Sequence, residues 1–191
     1  MSLSPPSMRF AVVVSSLFVL CSCGPSSPLG QGYVSGTPTA TCASGQHWTA
    51  GNSESEVMNP GYACRSCHLG NNFQGQNPSG EKQPSKAFFF MGTAYTASHE
   101  EDLCAADSVP TDAVVEILGA DGGVQVTMAI NAAGNFRSTS TSAGFTLPYT
   151  ARVRTNGKTN VMSTPQSDGD CNTCHTAAGA NSAPGRVLIP Q

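Results

Sequence analysis

The clearest pattern in the chain lies in its middle, where apolar and polar positions alternate. Val124, Val126, Met128 and Ile130 alternate with Gln125, Thr127 and Ala129. A period of two sends successive side chains to opposite faces, which predicts a half-buried β-strand with Met128 on its core face. Residues 113–118 form a second apolar run, joined to the first by the turn sequence Gly119-Ala120-Asp121-Gly122-Gly123. Tyr149, Ala151 and Val153 oppose Arg152 and Arg154 on a third strand. Asn156-Gly157 then predicts a two-residue hairpin turn, from which residues 159–162 return antiparallel. Upstream, Phe88, Phe89, Phe90 and Met91 make a short continuous apolar run, followed by Thr93, Ala94 and Tyr95. Residues 131–135 turn the chain before Phe136. Several short strands within about 75 residues predict a mainly β fold, with a small β-sandwich over residues 86–162.

Outside that region the periodicity is lost. Residues 71–85 are polar throughout and read as a loop. Residues 24–41, rich in Ser, Pro, Gly and Thr, read as a flexible tether. Composition agrees, since 20 Gly, 13 Pro and only 11% charged residues favour turns over long helices. A net charge of −3 gives no reason to expect a nucleic-acid partner.

The amino terminus carries its own signal. Arg9 precedes an apolar run over residues 10–20, too short to span a bilayer as a stable helix. A basic residue, a short apolar run and then small residues make a secretory signal, here residues 1–22. The following Leu20-Cys21-Ser22-Cys23-Gly24 resembles a bacterial lipobox. That resemblance implies a lipidated Cys23, a tether over residues 23–41, and an outer-membrane lipoprotein facing the periplasm or the cell surface. An ordinary cleavable signal is the alternative.

Two pentapeptides carry the chemistry, Cys64-Arg65-Ser66-Cys67-His68 and Cys171-Asn172-Thr173-Cys174-His175. Each is a c-type haem attachment motif. Two thiols one helical turn apart can add across the two vinyl groups of a porphyrin, and the His that follows gives iron an imidazole ligand. The cofactor-binding residues are therefore Cys64, Cys67, His68, Cys171, Cys174 and His175, with His68 and His175 proximal to iron. The competing reading is a zinc site built from two Cys-x-x-Cys pairs. Zinc ribbons separate their pairs by about 15–20 residues, whereas here roughly a hundred intervene and each pair is followed by His.

These ten residues resemble c-type cytochromes, which implies two covalently bound haem c groups. Each iron then needs a second axial ligand or an open site. Met58, six residues before Cys64, and Met162, nine before Cys171, precede the motifs in similar positions and are the candidate distal ligands. His47 is the alternative for the first haem and His99 for the second. Trp48, the only Trp, is expected to pack on a porphyrin edge. Residues 62–68 predict a short helix, and Asp170 is placed to cap the helix of the second motif. Arg186 is a candidate propionate partner, and the apolar tail Val187, Leu188 and Ile189 a candidate cover for a haem face.

Of 8 Cys, four belong to the motifs, and Cys21 and Cys23 to the leader and anchor. Cys42 and Cys104 remain, and in an oxidising compartment two leftover thiols are expected to pair. The organisation expected is a first haem segment with linker over residues 42–85, the β-sandwich over 86–162, and a second haem segment over 163–191. Residues 113–153 resemble the carboxypeptidase regulatory-like (transthyretin-like) module, which implies a scaffold without catalytic residues of its own. The whole arrangement resembles small di-haem c-type lipoproteins of Gram-negative bacteria. It implies electron transfer at the cell envelope between a redox-protein donor and acceptor, with the membrane reached through the lipid anchor. A di-haem peroxidase with one open iron, or a haem-bearing structural or polymer subunit, are the alternatives.

Overall fold

The structure, a computed structural model, describes residues 33–35, 41–68, 88–138 and 144–191. The leader, Cys23 and the polar loop 71–85 lie outside the described residues. The fold is mainly β, with one sheet of three strands, one of four and a short two-stranded ribbon.

The ribbon pairs β1 (Tyr33–Ser35) with β2 (Gln46–Trp48). A four-residue helix, α1 (Arg65–His68), carries the end of the first motif. The three-stranded sheet is centred on β3 (Met91–Tyr95). The four-stranded sheet begins with β4 (Val114–Leu118) and β5 (Val124–Ala129). The chain then forms β6 (Asn135–Arg137), β7 (Thr150–Thr155) and β8 (Lys158–Val161). The second motif forms α2 (Cys171–Cys174), and the chain closes with β9 (Val187–Leu188). The strand orders are β6-β3-β9 and β5-β4-β7-β8, antiparallel except for the parallel β3–β9 pair.

Alternation along the strands produces one shared core. Val115, Ile117, Met128 and Val153 from the four-stranded sheet pack with Phe90, Ala94, Phe136 and Ile189 from the three-stranded sheet and its flanks. Full burial of a side chain of this size stabilises by about 1.5–3 kcal/mol. Phe90 meets Tyr149 and Phe145 edge-on, each with ring centroids 4.8 Å away. The opposite face of β4 holds Glu116, buried between Arg152 at 2.5 Å and Arg154 at 3.2 Å, both on β7. Burial along β5 is strongest at Met128, whereas Val124 is exposed. The register between β4 and β5 shifts between Ile117 and Leu118, near the turn.

β3 divides the molecule. All five of its residues are buried, Gly92 and the polar Thr93 included. Ala94 faces the shared core, while the alternate Thr93 and Tyr95 meet the two motif segments. The carboxy-terminal tail joins the three-stranded sheet. Val187 and Leu188 pair with Ala94 and Tyr95, and the Ile189 amide donates to the Tyr95 carbonyl at 2.8 Å. A sheet edge left by β3 supplies backbone partners there, and Ile189 gains a buried site in the core.

Cys42 and Cys104 form a disulfide, with Cα atoms 5.3 Å apart and positions 62 apart in sequence. It fastens the start of the first motif segment beneath β3. Trp48 lies next to it in a small second core with Ala50 and Leu103, and its indole N–H donates to the Gly51 carbonyl at 2.8 Å. Among the described residues no helix is long and apolar enough to cross a membrane.

Candidate functional site

The two motifs, distant in sequence, meet against β3. The first is delivered by a tight turn in which Asn59 and Gly61 both have positive φ. Gly61 is required there, since a Cβ would lie 2.8 Å from Asp102 Oδ1 and 2.9 Å from Tyr95 Oη. The Gly61 amide donates to Thr93 Oγ1 at 2.9 Å. The helix expected over residues 62–68 is confined to α1, because the Tyr62 carbonyl is taken by a side chain of the second motif instead.

The second motif enters alongside the same strand. The Met91 amide donates to the Gly169 carbonyl at 2.9 Å, and a Cβ on Gly169 would lie 2.0 Å from the Phe89 carbonyl oxygen. Only glycine permits that approach. Asp170 occupies the N-cap position of α2, but its side chain makes no cap bond there. Its Oδ2 accepts instead from the Arg65 amide, at the start of α1, at 2.8 Å. Asp168 pairs with the Arg65 guanidinium at 2.5 Å. Asn172, 2% exposed, uses its whole amide at this junction. Its Oδ1 accepts from the Thr93 amide at 3.0 Å, and its Nδ2 donates to the Tyr62 carbonyl at 2.8 Å and to Thr93 Oγ1 at 3.1 Å. The same nitrogen lies 3.8 Å from Cys64 Sγ.

Burial governs the electrostatics. It is the main cause raising the Cys171 thiol to about 12, with the Asp170 and Asp168 carboxylates adding to it. Cys64 is raised for the same reason, then by the charges of Asp170 and Cys171. Burial also raises the Asp170 carboxyl, against the opposing hydrogen bond from Arg65. Cys64, Cys171 and Cys174 are in no disulfide. Cys67's side chain lies outside the described residues.

Arg186 is the part of this junction that sequence reasoning assigned elsewhere. Its side chain is fully buried. Nε donates to the Glu100 carbonyl at 2.8 Å, Nη1 to the Gly61 and His175 carbonyls at 3.2 and 3.3 Å, and Nη2 pairs with Asp102 at 2.5 Å. One guanidinium thus ties together both motif segments and the loop before Cys104.

A cleft of about 680 Å³ opens beside the first motif. Met58, Cys64 and His68 line it together with Phe88, Phe136 and Arg137. The His68 ring is 5.8 Å from that of Phe88, and the Arg137 guanidinium lies over the same phenyl ring at 4.5 Å while pairing with Glu56 at 2.8 Å. A mostly apolar cleft of this volume is of the size that takes cofactors. His47 is not in its lining. That ring sits on β2 beside Cys104, with Nδ1 buried and without a hydrogen-bond partner.

At the second motif, His175 Nδ1 lies 2.8 Å from the Gly185 carbonyl oxygen. As a donor at Nδ1 the ring presents a bare Nε2, the arrangement that orients an imidazole toward a metal. His99 has a matching bond, Nδ1 to the Ala177 carbonyl at 2.7 Å, and it borders Gly185 from the other side. Met162 packs against the sheet core instead, with its amide donating to the Ala151 carbonyl at 2.8 Å.

The described cysteines do not cluster as a thiolate metal centre would require. Among the described residues, the one group of three potential ligands within 4.8 Å is Cys42, Glu100 and Cys104, and its two sulfurs are spent in the disulfide. The thiols of Cys64, Cys171 and Cys174 do not gather in that way, as a four-cysteine zinc site would require. Compared with protein-family models, with curated proteins and with solved structures, the chain matches none, so its chemistry rests on these residues and their geometry.

Proposed function

We propose that the chain is an exported di-haem c-type cytochrome that carries electrons at the cell envelope between a redox-protein donor and acceptor. The observation that carries the reading is the pair of Cys-x-x-Cys-His motifs, each with a supporting shell suited to haem. The first borders an apolar cleft of about 680 Å³ shared by Cys64, His68 and Met58. The second has its His175 ring oriented by the Gly185 carbonyl at 2.8 Å. Haem iron bound at such sites supplies reversible one-electron chemistry, and the protein tunes its potential through axial ligand, burial and hydrogen bonding.

Cys64 and Cys67 hold the first haem with His68 as proximal ligand, and Cys171, Cys174 and His175 hold the second. Met58 is favoured over His47 as the distal ligand of the first, since it shares the cleft with His68. His99 is favoured over Met162 at the second, since it contacts the loop that follows His175. Arg137 is the cation in the cleft lining and the natural partner of a propionate there. The two sheets, with one core between them, support a small β-sandwich of the transthyretin-like kind as scaffold. The leader and the lipobox around Cys23 support attachment to the outer membrane.

Purified, exported protein run on a denaturing gel and stained for haem peroxidase activity tests the reading. Two covalent haems per chain are expected, falling to one in Cys67→Ser and in Cys174→Ser. Absence of covalent haem in the exported protein overturns it.

A further inference from the structure

The contacts between the motifs extend this reading. The residues that join them are the variable ones inside or just before each motif, Arg65 in the first and Asp168, Asp170 and Asn172 in the second. Asp170 spends its carboxylate on the amide of Arg65 at 2.8 Å rather than on its own helix, and Asn172 reaches the carbonyl of Tyr62 at 2.8 Å. Both residues are buried, and every polar atom of the Asn172 amide has a partner at this junction. A buried amide satisfied on all sides holds its neighbours in one arrangement, because any shift leaves unpaired polar groups. The Asn172 nitrogen is 3.8 Å from Cys64 Sγ, and Asn172 directly follows Cys171. Each of these sulfurs is one bond from a porphyrin substituent once haem is attached. Both thioethers would therefore leave from one junction, where the side chain of Asn172, next in sequence to Cys171, comes within 3.8 Å of Cys64 Sγ.

Resting on the di-haem reading, we infer that Asp170 and Asn172 are positioning residues that lock the two attachment motifs into one unit, so that the haems form an interacting pair and exchange electrons directly. The exchange moves one electron. With haem held at both sites, the group at one would be oxidised as the group at the other is reduced, with no bond made or broken and no proton required. The external donor and acceptor then need to reach only one haem each. Gly92 belongs to the same design. Its missing side chain leaves room for Cys171, whose Cβ would lie 2.8 Å from a Cβ at position 92. The second thioether is thereby seated against the strand that already carries the first motif.

The test uses the full holo-protein and two readouts. Haem is first counted by the absorbance of its pyridine complex. The Soret region is then scanned by circular dichroism, where two haems in contact give a couplet of opposite signs. The expected result is two haems per chain with a couplet, and a couplet at least halved in Asn172→Ala while the haem count stays at two. If Asn172→Ala fails to mature, Asp170→Ala replaces it, since it removes the contact to the Arg65 amide and leaves Asn172 in place. Two haems whose Soret dichroism equals the sum of the single-haem variants Cys67→Ser and Cys174→Ser overturn the pairing alone. A couplet unaffected by either junction variant overturns the positioning role. A count of no covalent haem overturns the di-haem reading and the pairing with it.

Discussion

Replacing Arg186 with Met tests the junction most directly. The substitution keeps an unbranched apolar stem and removes a guanidinium that is fully buried. Lost with it are the bonds to the carbonyls of Glu100, Gly61 and His175 and the ion pair with Asp102. A hydrogen bond to a charged group contributes about 1.5–3 kcal/mol, and breaking a buried ion pair costs about 3–5 kcal/mol. These terms overlap. The Asp102 side chain is half exposed and regains water, and the Met stem recovers some packing, so the terms are not summed and the range for one broken buried pair is taken. The expected loss is about 3–5 kcal/mol, a large part of the ~5–15 kcal/mol that holds a domain of this size together. Urea unfolding of the holo-protein followed by far-ultraviolet circular dichroism reads it as a lower midpoint at unchanged slope. Asp102→Asn is the control. It leaves the three carbonyl contacts intact and should cost about 1 kcal/mol or less, as expected of a solvent-screened partner. A loss under about 1 kcal/mol in Arg186→Met would refute the claim that this side chain organises the junction.

Three further outcomes follow from particular contacts. Gly92→Ala places a Cβ 2.6 Å from Phe136 Cζ and 2.8 Å from Cys171 Cβ, so overpacking should cost about 1–3 kcal/mol, read as a lower thermal midpoint; an unchanged midpoint contradicts the close approach. Cys104→Ser opens a cross-link between positions 62 apart, for which chain entropy gives about 4 kcal/mol; reduction of the native protein by dithiothreitol should produce a comparable loss, and equal stability of the two forms would argue against the bridge. Asp112 accepts from Thr155 Oγ1 at 2.5 Å and from the Asn156 amide at 2.6 Å, which hold its carboxyl below its ordinary value of about 3.8. Its contribution is present above that value and is lost as pH falls through the lower folded one. Asp112→Ala should therefore flatten the acid side of the stability profile, and an identical slope in the two proteins would remove Asp112 from the account.

Much of the local structure was written in the pattern of residues. The alternation from Val124 to Ile130 identified β5 and placed Met128 in the core, because a period of two on a half-buried sheet has one physical solution. Asn156-Gly157 announced the β7–β8 hairpin, since both residues tolerate the positive φ that they adopt. The two Cys-x-x-Cys-His motifs were legible because each is a contiguous pentapeptide repeated at the same internal spacing. Arg186 and Asn172 were not legible. Nothing in a local window separates a solvated Arg from a buried one, or marks one variable motif position as the keystone between two helices. A hint existed in the complementary charges of Arg65 and the Asp168–Asp170 turn, yet charge carries no address across a hundred residues.

The sequence by itself marked the two Cys-x-x-Cys-His pentapeptides proposed to attach haem and the segments that become strands, because both depend on near neighbours: the spacing of two thiols and the periodicity of burial. Only the tertiary structure decided that the motifs meet. They could as well have anchored opposite ends of the sheets, which is how their order along the chain presents them. β3, buried on both faces, brings them together: Thr93 serves both segments with its amide and hydroxyl, and the glycines at positions 92 and 169 let the second motif close against the strand. Long-range contact of this kind is set by complementary packing and by the cost of leaving buried polar groups unpaired, and neither is visible until the chain is folded.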